Sequence, residues 1–388
     1  MRPARHGVLR TSPHAGRSLG RGRVLPVEAV NSAVTRISKN VKLRQVEEVT
    51  EIITKERFFR RAFNRCVEVS SLSLVALSAQ RDRKAMTSRR PTHAGSWYSS
   101  NGVELSQQLT KWLSEAQVTC GAARAVIAPH AGYSYSGPTA AWAYKGIQTK
   151  GIKRVFLLGP SHNVYSPKCL LSTCGAYATP IGSLPIDSAI YDELSKSSLF
   201  DEMSLAVDER EHSLEMHMPY LVHLFGGTDA TLVPIMVGAL SEQTEALIGR
   251  LLAPYLADPQ NLFVISSDFC HWGERFNFTY HDSKHGGEIF QSIEELDKQG
   301  MLLIEAQDAA GFAAYQRKFG NTICGRHPIA VLLHALNALP SLSSLPTPPA
   351  PYELRFVRYA QSSRVRGLSD SSVSYASAIV WQENHRVP

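Results

Sequence analysis

Four short apolar runs lie beyond residue 86, and each is followed directly by Gly, Pro or Ser. Unbroken runs of this length are typical of strands that are buried on both faces of a sheet. The runs are Ala125–Ala128, Val155–Leu158, Leu232–Val237 and Leu262–Ile265. We predict that they form the centre of a mostly parallel sheet.

Apolar residues recur at a helical period in several gaps along the same part of the chain. The predicted helices are Val103–Glu115, Ile186–Ser195, Glu242–Tyr255, Gly286–Lys298 and His327–Leu339. This alternation predicts a single α/β domain, residues 86–388, whose central sheet is flanked by helices. The Pro- and Ser-rich stretch Pro340–Pro351 interrupts the pattern and predicts a surface loop.

Positive charge is concentrated at the start of the chain. Residues 1–85 contain 18 Lys or Arg and 7 Asp or Glu, whereas residues 86–388 contain 23 and 27. The larger part is therefore slightly acidic, which argues against nucleic acid as a partner. No apolar run approaches the roughly 20 residues that a membrane helix needs, so we expect no membrane-spanning segment.

The basic tract, residues 1–85, is predicted to be a disordered N-terminal extension that the folded part does not need. Residues 1–27 contain six Arg and no acidic residue, a composition typical of mitochondrial transit peptides and of translated leader sequence. Mitochondrial targeting is kept as a minority alternative. An amphipathic helix is predicted within residues 41–65, and its apolar side contains Val46, Val49, Ile52 and Ile53.

Chemically reactive side chains follow the predicted strands directly. His130 and His162 follow the first two runs, and Asp268 and His271 follow the last. Cys324 lies just before a predicted helix. Because the carboxyl ends of parallel strands meet at one edge of a sheet, where ligands collect, these residues are candidates for one shared pocket.

Histidine combined with thiolate or carboxylate is the donor set of a transition-metal site. A structural role is the alternative for each residue, since a single His is commonly hydrogen-bonded and a single Cys commonly buried as a small apolar residue. Ser266-Ser267-Asp268 can also cap a helix. His212 and Glu215, three residues apart, can share a helical face, and we assign them supporting roles behind the pocket.

Several other catalytic motifs are absent from residues 86–388. There is no Gly-x-Ser-x-Gly nucleophile elbow, no Walker loop and no Gly-x-Gly-x-x-Gly sequence. Cysteine usage suits a reducing compartment, and we expect a cytoplasmic protein with the nucleus as a further location.

Seven longer motifs resemble those of the MEMO family, the mediators of ErbB-driven cell motility. They are His93–Tyr98, Ala128–Tyr133, Leu158–His162, Glu211–His217, Ser266–Gly273, Asn321–Pro328 and Asp370–Ala376. The resemblance extends from about Met86 to about Ile379. It implies a fold similar to that of the class III extradiol dioxygenases, non-haem iron enzymes that open catechol rings.

The resemblance also implies a metal site. Those dioxygenases hold iron with two His and one carboxylate. By motif, His130 and His162 match the metal-site histidines of the family, and Cys324 stands at the carboxylate position. Asp268 and His271 match residues of the same pocket, and they are the candidate catalytic groups. Since a thiolate is softer than a carboxylate, the expected cofactor is one copper or iron ion, and ring cleavage becomes doubtful.

The family is also described as adaptors that recognise a phosphotyrosine segment of an activated ErbB-type receptor, together with further signalling adaptors. Trp97, Tyr133 and Tyr135 would form a wall for the phosphotyrosine ring, with His130 and His162 beside the phosphate. Aromatic residues in such motifs are also common in protein cores, which is the competing interpretation.

Three functions follow from these observations. The favoured hypothesis is a MEMO-like signalling protein in receptor-driven cell motility and cytoskeletal control, with a copper- or iron-binding pocket. The second is an active metal-dependent oxidoreductase, and the third is a metal-free phosphotyrosine-peptide adaptor. The sequence departs from the family at Asn163, where a second His would be expected after His162.

Overall fold

The structure is a computed structural model that describes residues 87–118, 120–282, 288–342 and 351–382, together with isolated positions between Asn31 and Glu56. The chain divides into two units, Met1–Ser78 and Ala79–Pro388. In the first unit, the described positions within residues 44–56 are helical. The apolar positions of the helix predicted there and residues 1–27, for which mitochondrial targeting is the alternative, lie outside the described residues. These predictions and the predicted disorder of the tract stay predictions.

The described part of the second unit contains twelve strands. They are β1 (Ser88–Arg89), β2 (Ala123–Ala128), β3 (Arg154–Pro160), β4 (Cys169–Ser172), β5 (Ala176–Thr179), β6 (Gly182–Pro185), β7 (Phe200–Met203), β8 (Thr231–Val237), β9 (Asn261–Ser266), β10 (His271–Trp272), β11 (Tyr352–Gln361) and β12 (Ser372–Gln382). The four predicted apolar runs lie within β2, β3, β8 and β9, and nearly every residue of these strands is buried.

Ten α-helices are present in the same described residues. They are α1 (Gly102–Glu115), α2 (Tyr133–Lys145), α3 (Ser188–Leu194), α4 (Leu205–Arg210), α5 (His212–Glu215), α6 (Met218–Phe225), α7 (Glu242–Ala257), α8 (Ile289–Glu305), α9 (Ala309–Phe319) and α10 (Arg326–Leu342). None of these helices is both long and apolar enough to cross a membrane.

The large sheet has the strand order β10-β12-β2-β9-β3-β8-β4-β7, with β11 paired to β12. Its centre, β2-β9-β3-β8, is parallel, whereas β12 and β4 run antiparallel to their central neighbours. Strands β1, β5 and β6 form a separate three-stranded sheet. The prediction of an α/β fold with a central, mostly parallel sheet flanked by helices is confirmed.

Helices α7 and α10 pack against each other and against the central strands. Gly249 makes this packing close, because a Cβ at that position would lie 2.4 Å from His334 Cβ. Side-chain caps fix the helix starts, as where Ser241 Oγ accepts the Thr244 N–H over 3.1 Å. Helix α10 continues through Pro340 to Leu342, so the first three residues of the predicted surface loop are helical.

Candidate metal centre

Parallel pairing of β2, β9 and β3 places the residues that follow these strands side by side. His130 follows β2, Asp268 follows β9 and His162 follows β3. The two histidine ring centroids are 5.2 Å apart. The crevice expected at the carboxyl edge of the sheet is therefore built from three adjacent strands.

His130 makes contacts that determine which ring nitrogen carries its proton. Its Nδ1 lies 2.6 Å from Ser266 Oγ, and this hydroxyl donates its single proton to the Ser213 carbonyl over 2.7 Å. Ser266 Oγ must therefore accept from His130 Nδ1–H, which leaves the Nε2 lone pair free. Burial and the neighbouring histidines lower the pKa of His130 well below its ordinary value, so the ring is neutral.

His162 is oriented by Glu211, a fully buried carboxylate between α4 and α5. Glu211 accepts from His162 Nδ1 at 2.8 Å and from the His162 backbone N–H at 2.7 Å. Burial lowers the pKa of His162, but hydrogen bonds with Cys324 and Glu211 outweigh it and raise the pKa to about 10. A metal ion that binds His162 Nε2 must therefore displace a proton.

Cys324 comes from the loop between α9 and α10. Its Sγ lies 3.2 Å from His130 Nε2, and the Asp268 backbone N–H donates to it over 3.3 Å. Burial raises the pKa of the thiol. Gly325 lets this loop approach the end of β9, because a Cβ there would lie 2.3 Å from Ser267 Cβ.

The candidate ligand atoms of His130, His162 and Cys324 all lie within 4.8 Å of one another. Two imidazole nitrogens and one sulfur suit copper or iron better than magnesium or calcium, which prefer oxygen ligands. Each histidine also engages its second ring nitrogen with a protein group, the arrangement usual around bound metals. The residues present therefore fit one copper or iron ion.

Asp268 and His271 lie at the same edge of the sheet. Asp268 Oδ1 accepts the His130 backbone N–H over 2.9 Å. Burial raises the pKa of Asp268, and the charge of His271 lowers it in part. His271 Nδ1 donates to the carbonyls of Phe269 and Thr322 at 2.8 and 3.0 Å, which directs its Nε2 away from them. The structure thus brings both predicted catalytic groups to the candidate metal centre.

His212 lies among the predicted ligands rather than behind them. Its ring stacks on His162 with centroids 4.5 Å apart, and it lies 5.4 Å from the His130 ring. Burial and the charge of His162 lower the pKa of His212 to about 4. Its neutral ring therefore forms part of the pocket wall.

Glu215 belongs to a buried charge network that sequence reasoning missed. Arg89 Nη1 donates to Glu215 Oε2 over 2.7 Å, and Arg89 Nε donates to Asp208 Oδ1 over 3.2 Å. Arg89 Nη2 donates to the Glu211 backbone carbonyl over 2.7 Å. No sequence pattern marked Arg89, whereas Glu211 stands beside His212 within a recognised motif and could have been found there.

Of the three predicted wall aromatics, two border an open cavity. Trp97 and Tyr135 are 36% and 62% exposed, and both line a cavity of about 550 Å³ together with Arg275. Tyr133 is buried, and its hydroxyl donates to the Met216 carbonyl over 2.7 Å. The structure therefore places Tyr133 in the aromatic core below α2 and not on this cavity wall.

Glu211 is expected to make the stability of the folded protein depend on pH. Burial alone would raise the pKa of Glu211, but the hydrogen bond and charge of His162 lower it from 4.5 to about 2. A depressed carboxyl pKa stabilises the folded state above about pH 4.5, and this stabilisation is lost as the pH falls towards 2. Glu211→Gln is expected to remove about 3 kcal/mol of unfolding free energy at pH 7 and much less at pH 2.5.

Urea unfolding at both pH values checks this expectation. Glu115→Gln is the control, because Glu115 is an exposed residue 3.9 Å from Lys111. A loss for Glu211→Gln that does not change with pH would contradict the assignment.

The fold and the centre define an α/β protein with a mixed imidazole and thiol pocket at the carboxyl edge of a parallel sheet. The model of the family described as "Memo-like protein" matches residues 89–379. The protein MEMO1 of Xenopus laevis is 52% identical over 291 residues, which cover 74% of this chain and 96% of that protein. MEMO1 of Homo sapiens is 50% identical over 291 residues, with the same shares of both chains covered. The memo-1 homolog of Caenorhabditis elegans is 46% identical over 293 residues, which cover 76% of this chain and 82% of that protein. The chain belongs to the Memo-like protein family.

Proposed function

We propose that this chain is a metal-binding signalling protein that acts between receptor tyrosine kinases and the cytoskeleton. The observation that carries the metal-binding part is the approach of His130, His162 and Cys324, whose candidate ligand atoms lie within 4.8 Å of one another. The signalling part follows from membership of the Memo-like family and from the resemblance of its motifs to those of motility mediators. We assign it to the cytoplasm, with the nucleus as a further location.

One copper or iron ion would be held by these three residues and would supply redox or Lewis-acid chemistry to the pocket. Ser266 accepts from His130 Nδ1 and leaves the Nε2 lone pair of that ring available. Glu211 accepts from His162 Nδ1, so that His162 Nε2 can bind the ion once the metal has displaced its proton. The Asp268 backbone N–H stabilises charge on the Cys324 sulfur.

The proposed partner is a phosphotyrosine segment of an ErbB-type receptor. The cavity beside the metal centre supports this, because Trp97 and Tyr135 can contact an aromatic ring and Arg275 brings a positive charge to the same walls. Tyr133 is left out of the proposal, since its ring and hydroxyl are both engaged in the core.

The metal assignment predicts that the combined variant His130→Ala, His162→Ala and Cys324→Ser binds no copper or iron. The wild-type full chain, purified without chelators or immobilised nickel, is expected to carry one ion, because three converging ligands are needed to hold it. Metal content is measured by elemental mass spectrometry after reconstitution with each metal.

The control variant combines His223→Ala, His281→Ala and Cys120→Ser. It removes the same side-chain types outside the centre and should retain one ion per chain. Stoichiometric metal in the ligand variant would refute the assignment.

An active oxidoreductase is a second candidate, favoured by Asp268, whose Oδ1 accepts from the His130 backbone N–H and whose own N–H donates to Cys324 Sγ. His271 is close enough to Asp268 for its charge to lower the pKa of that carboxyl. Oxygen consumption by the metal-loaded wild type, absent in His271→Gln, would support this candidate. Phosphopeptide binding that survives chelation would instead support a metal-free adaptor. Imaging of tagged protein with and without residues 1–27 tests the mitochondrial alternative.

A further inference from the structure

A buried carboxylate joins two segments that carry candidate site residues. Asp297, in the middle of α8, is fully buried. Its Oδ1 accepts the Cys270 backbone N–H over 3.2 Å and Asn321 Nδ2 over 2.9 Å. Cys270 belongs to the His271 segment, residues 267–271, and Asn321 belongs to the Cys324 loop, residues 320–325. One oxygen of Asp297 therefore contacts both the His271 segment and the Cys324 loop.

The His271 segment and the Cys324 loop also bind each other directly. The His271 backbone N–H donates to Thr322 Oγ1 over 2.7 Å, and this hydroxyl donates to the His271 carbonyl over 2.9 Å. The Gly325 N–H donates to Ser267 Oγ over 3.1 Å. Residues 267–270 and 320–325 lie outside regular helices and strands. Because few hydrogen bonds hold them, they can separate at a lower cost than the sheet can.

The second oxygen of Asp297 is held by the sheet. Its Oδ2 accepts the Tyr359 hydroxyl over 2.9 Å, and the Ser374 side chain also hydrogen-bonds to the carboxylate. Tyr359 lies in β11 and Ser374 in β12, and these strands are paired along their length. A local opening around Asp297 would therefore move the His271 segment and the Cys324 loop and leave the two strands in place.

The charge of Asp297 is not offset by a cation among the described residues. Lys298, the next residue along α8, pairs instead with Glu294 over 2.6 Å at the surface. A buried charge that is held by hydrogen bonds alone is costly. Burial raises the pKa of Asp297 from 3.8 to about 6, and its hydrogen bonds offset this only in part.

The titratable groups that face Asp297 keep their charge state near neutral pH. They are the thiol of Cys270, the hydroxyl of Tyr315 on α9 and the hydroxyl of Tyr359 on β11. Burial raises the pKa of all three, and the charge of Asp297 raises it further. His271 bonds through Nδ1 to two backbone carbonyls and not to Asp297. Of these four acidic groups, only Asp297 ionises between about pH 5 and pH 7.5.

We infer that Asp297 controls a local opening of the metal centre: its charged form favours separation of the His271 segment from the Cys324 loop, and its neutral form favours their closed arrangement. The closed arrangement buries the carboxyl group, whereas an opened one returns it to water. A carboxyl group with a higher pKa in the closed arrangement binds its proton more tightly there, so ionisation shifts the balance towards opening. If the opened form has the ordinary carboxyl pKa, its population rises about tenfold between about pH 5 and pH 7.5.

Opening would move Cys324 away from His130 and give a metal ion a way in and out. This consequence rests on the proposed metal function. The opening itself does not, because Asp297 contacts none of the three proposed ligands.

Hydrogen exchange of the metal-stripped full chain tests the opening, with rates corrected for the intrinsic pH dependence of exchange. In the wild type, protection of backbone amides in the His271 segment and the Cys324 loop is expected to fall about tenfold between about pH 5 and pH 7.5. Asp297→Asn has a similar shape but cannot ionise. Its protection should not change with pH in this comparison, and at about pH 7.5 it should exceed that of the wild type by at least about tenfold.

Asp201→Asn is the control, because Asp201 is 54% exposed and pairs with Lys168 over 2.9 Å. It should reproduce the wild-type profile. His271 and the other histidines are present in all three proteins, so the difference between them isolates Asp297.

Three outcomes would overturn the inference. The first is the same pH dependence in Asp297→Asn and in the wild type. The second is lower protection in Asp297→Asn at every pH, which a purely structural role of the carboxylate predicts. The third is exchange of both segments as slowly as β8, which would mean that only global unfolding exposes them. If Asp297→Asn did not fold, a wild-type profile that does not change with pH would be sufficient to overturn it.

A second measurement addresses metal exchange. Transfer of copper(I) from the loaded chain to an excess of chelator at about pH 7.5 is expected to be about tenfold slower for Asp297→Asn than for the wild type. Equal transfer rates would overturn the link between opening and metal exchange. A chain that binds no copper would contradict the proposed metal function alone, since the hydrogen exchange result is obtained without metal.

Discussion

Arg89→Met is expected to lower the free energy of unfolding by about 3–5 kcal/mol. Arg89 is 1% exposed, and its guanidinium lies between the buried carboxylates of Asp208 and Glu215. Its remaining N–H groups donate to the backbone carbonyls of Arg90, Asp208 and Glu211. Methionine fills a similar volume but leaves the buried Asp208 carboxylate without a counter-charge, and leaves Glu215 with His93 Nδ1, 2.8 Å away, as its basic neighbour.

Urea unfolding at pH 7 measures this loss, and the neighbouring residue provides a matched control. Arg90 is 76% exposed, and it pairs with Glu209, whose side chain is 8% exposed. Arg90→Met is therefore expected to cost much less than Arg89→Met. Adding Asp208→Asn and Glu215→Gln to Arg89→Met should recover part of the loss, because the uncompensated charge is removed. Equal losses for Arg89→Met and Arg90→Met would contradict the charge argument.

The Arg89 network also shows why the buried charge pairs beside the metal centre could not be predicted from the sequence. Arg89 and Glu215 are 126 residues apart, and neither lies in a pattern that links it to the other. Their pairing depends on how the small β1-β5-β6 sheet meets the helices that carry Asp208 and Glu215. Periodicity describes which face of one element is buried, but it carries no information on which charges two distant elements bring together.

In contrast, the large sheet and the approach of two of the ligands could be predicted from the sequence. The apolar runs that become β2, β3 and β9 are each followed at once by polar residues, and parallel strands end at a common edge. Because the strands end at this edge, His130 and His162 could be predicted to lie close together without knowing the conformation of the loops. Cys324 was different, since it precedes a helix and does not follow a strand, and its assignment as the third ligand came from the family resemblance.

The aromatic residues show that the type of a residue does not predict whether its side chain is buried or exposed. Tyr133 and Tyr135 are two positions apart at the start of α2, yet one is buried and the other is 62% exposed. The difference arises because Tyr133 packs against Tyr98, Trp112 and Tyr220. A motif match cannot distinguish these two environments, because both tyrosines follow the same histidine-containing turn.

The second prediction concerns the metal preference of the centre. Cys324→Asp is expected to weaken copper(I) binding by at least about 100-fold while iron(II) binding falls by less than about tenfold. The substitution replaces a soft thiolate with a hard carboxylate and leaves His130 and His162 in place. It restores the two-histidine, one-carboxylate donor set that suits iron(II). The Asp268 backbone N–H, which donates to the Cys324 sulfur over 3.3 Å, can donate to the new carboxylate.

Competition with chromophoric chelators under anaerobic conditions gives both affinities on one scale. Cys324→Ser is the companion variant, because a hydroxyl is a poor ligand for either ion, and it should weaken both. Circular dichroism of each variant separates loss of a ligand from loss of the fold. The preference for copper(I) over iron(II) should change only if the sulfur is itself a ligand. If Cys324 merely packed beside the histidines, the copper(I) affinity would be the same in wild type and Cys324→Asp. Unchanged copper(I) binding would therefore remove Cys324 from the ligand set and leave the two histidines without their third partner.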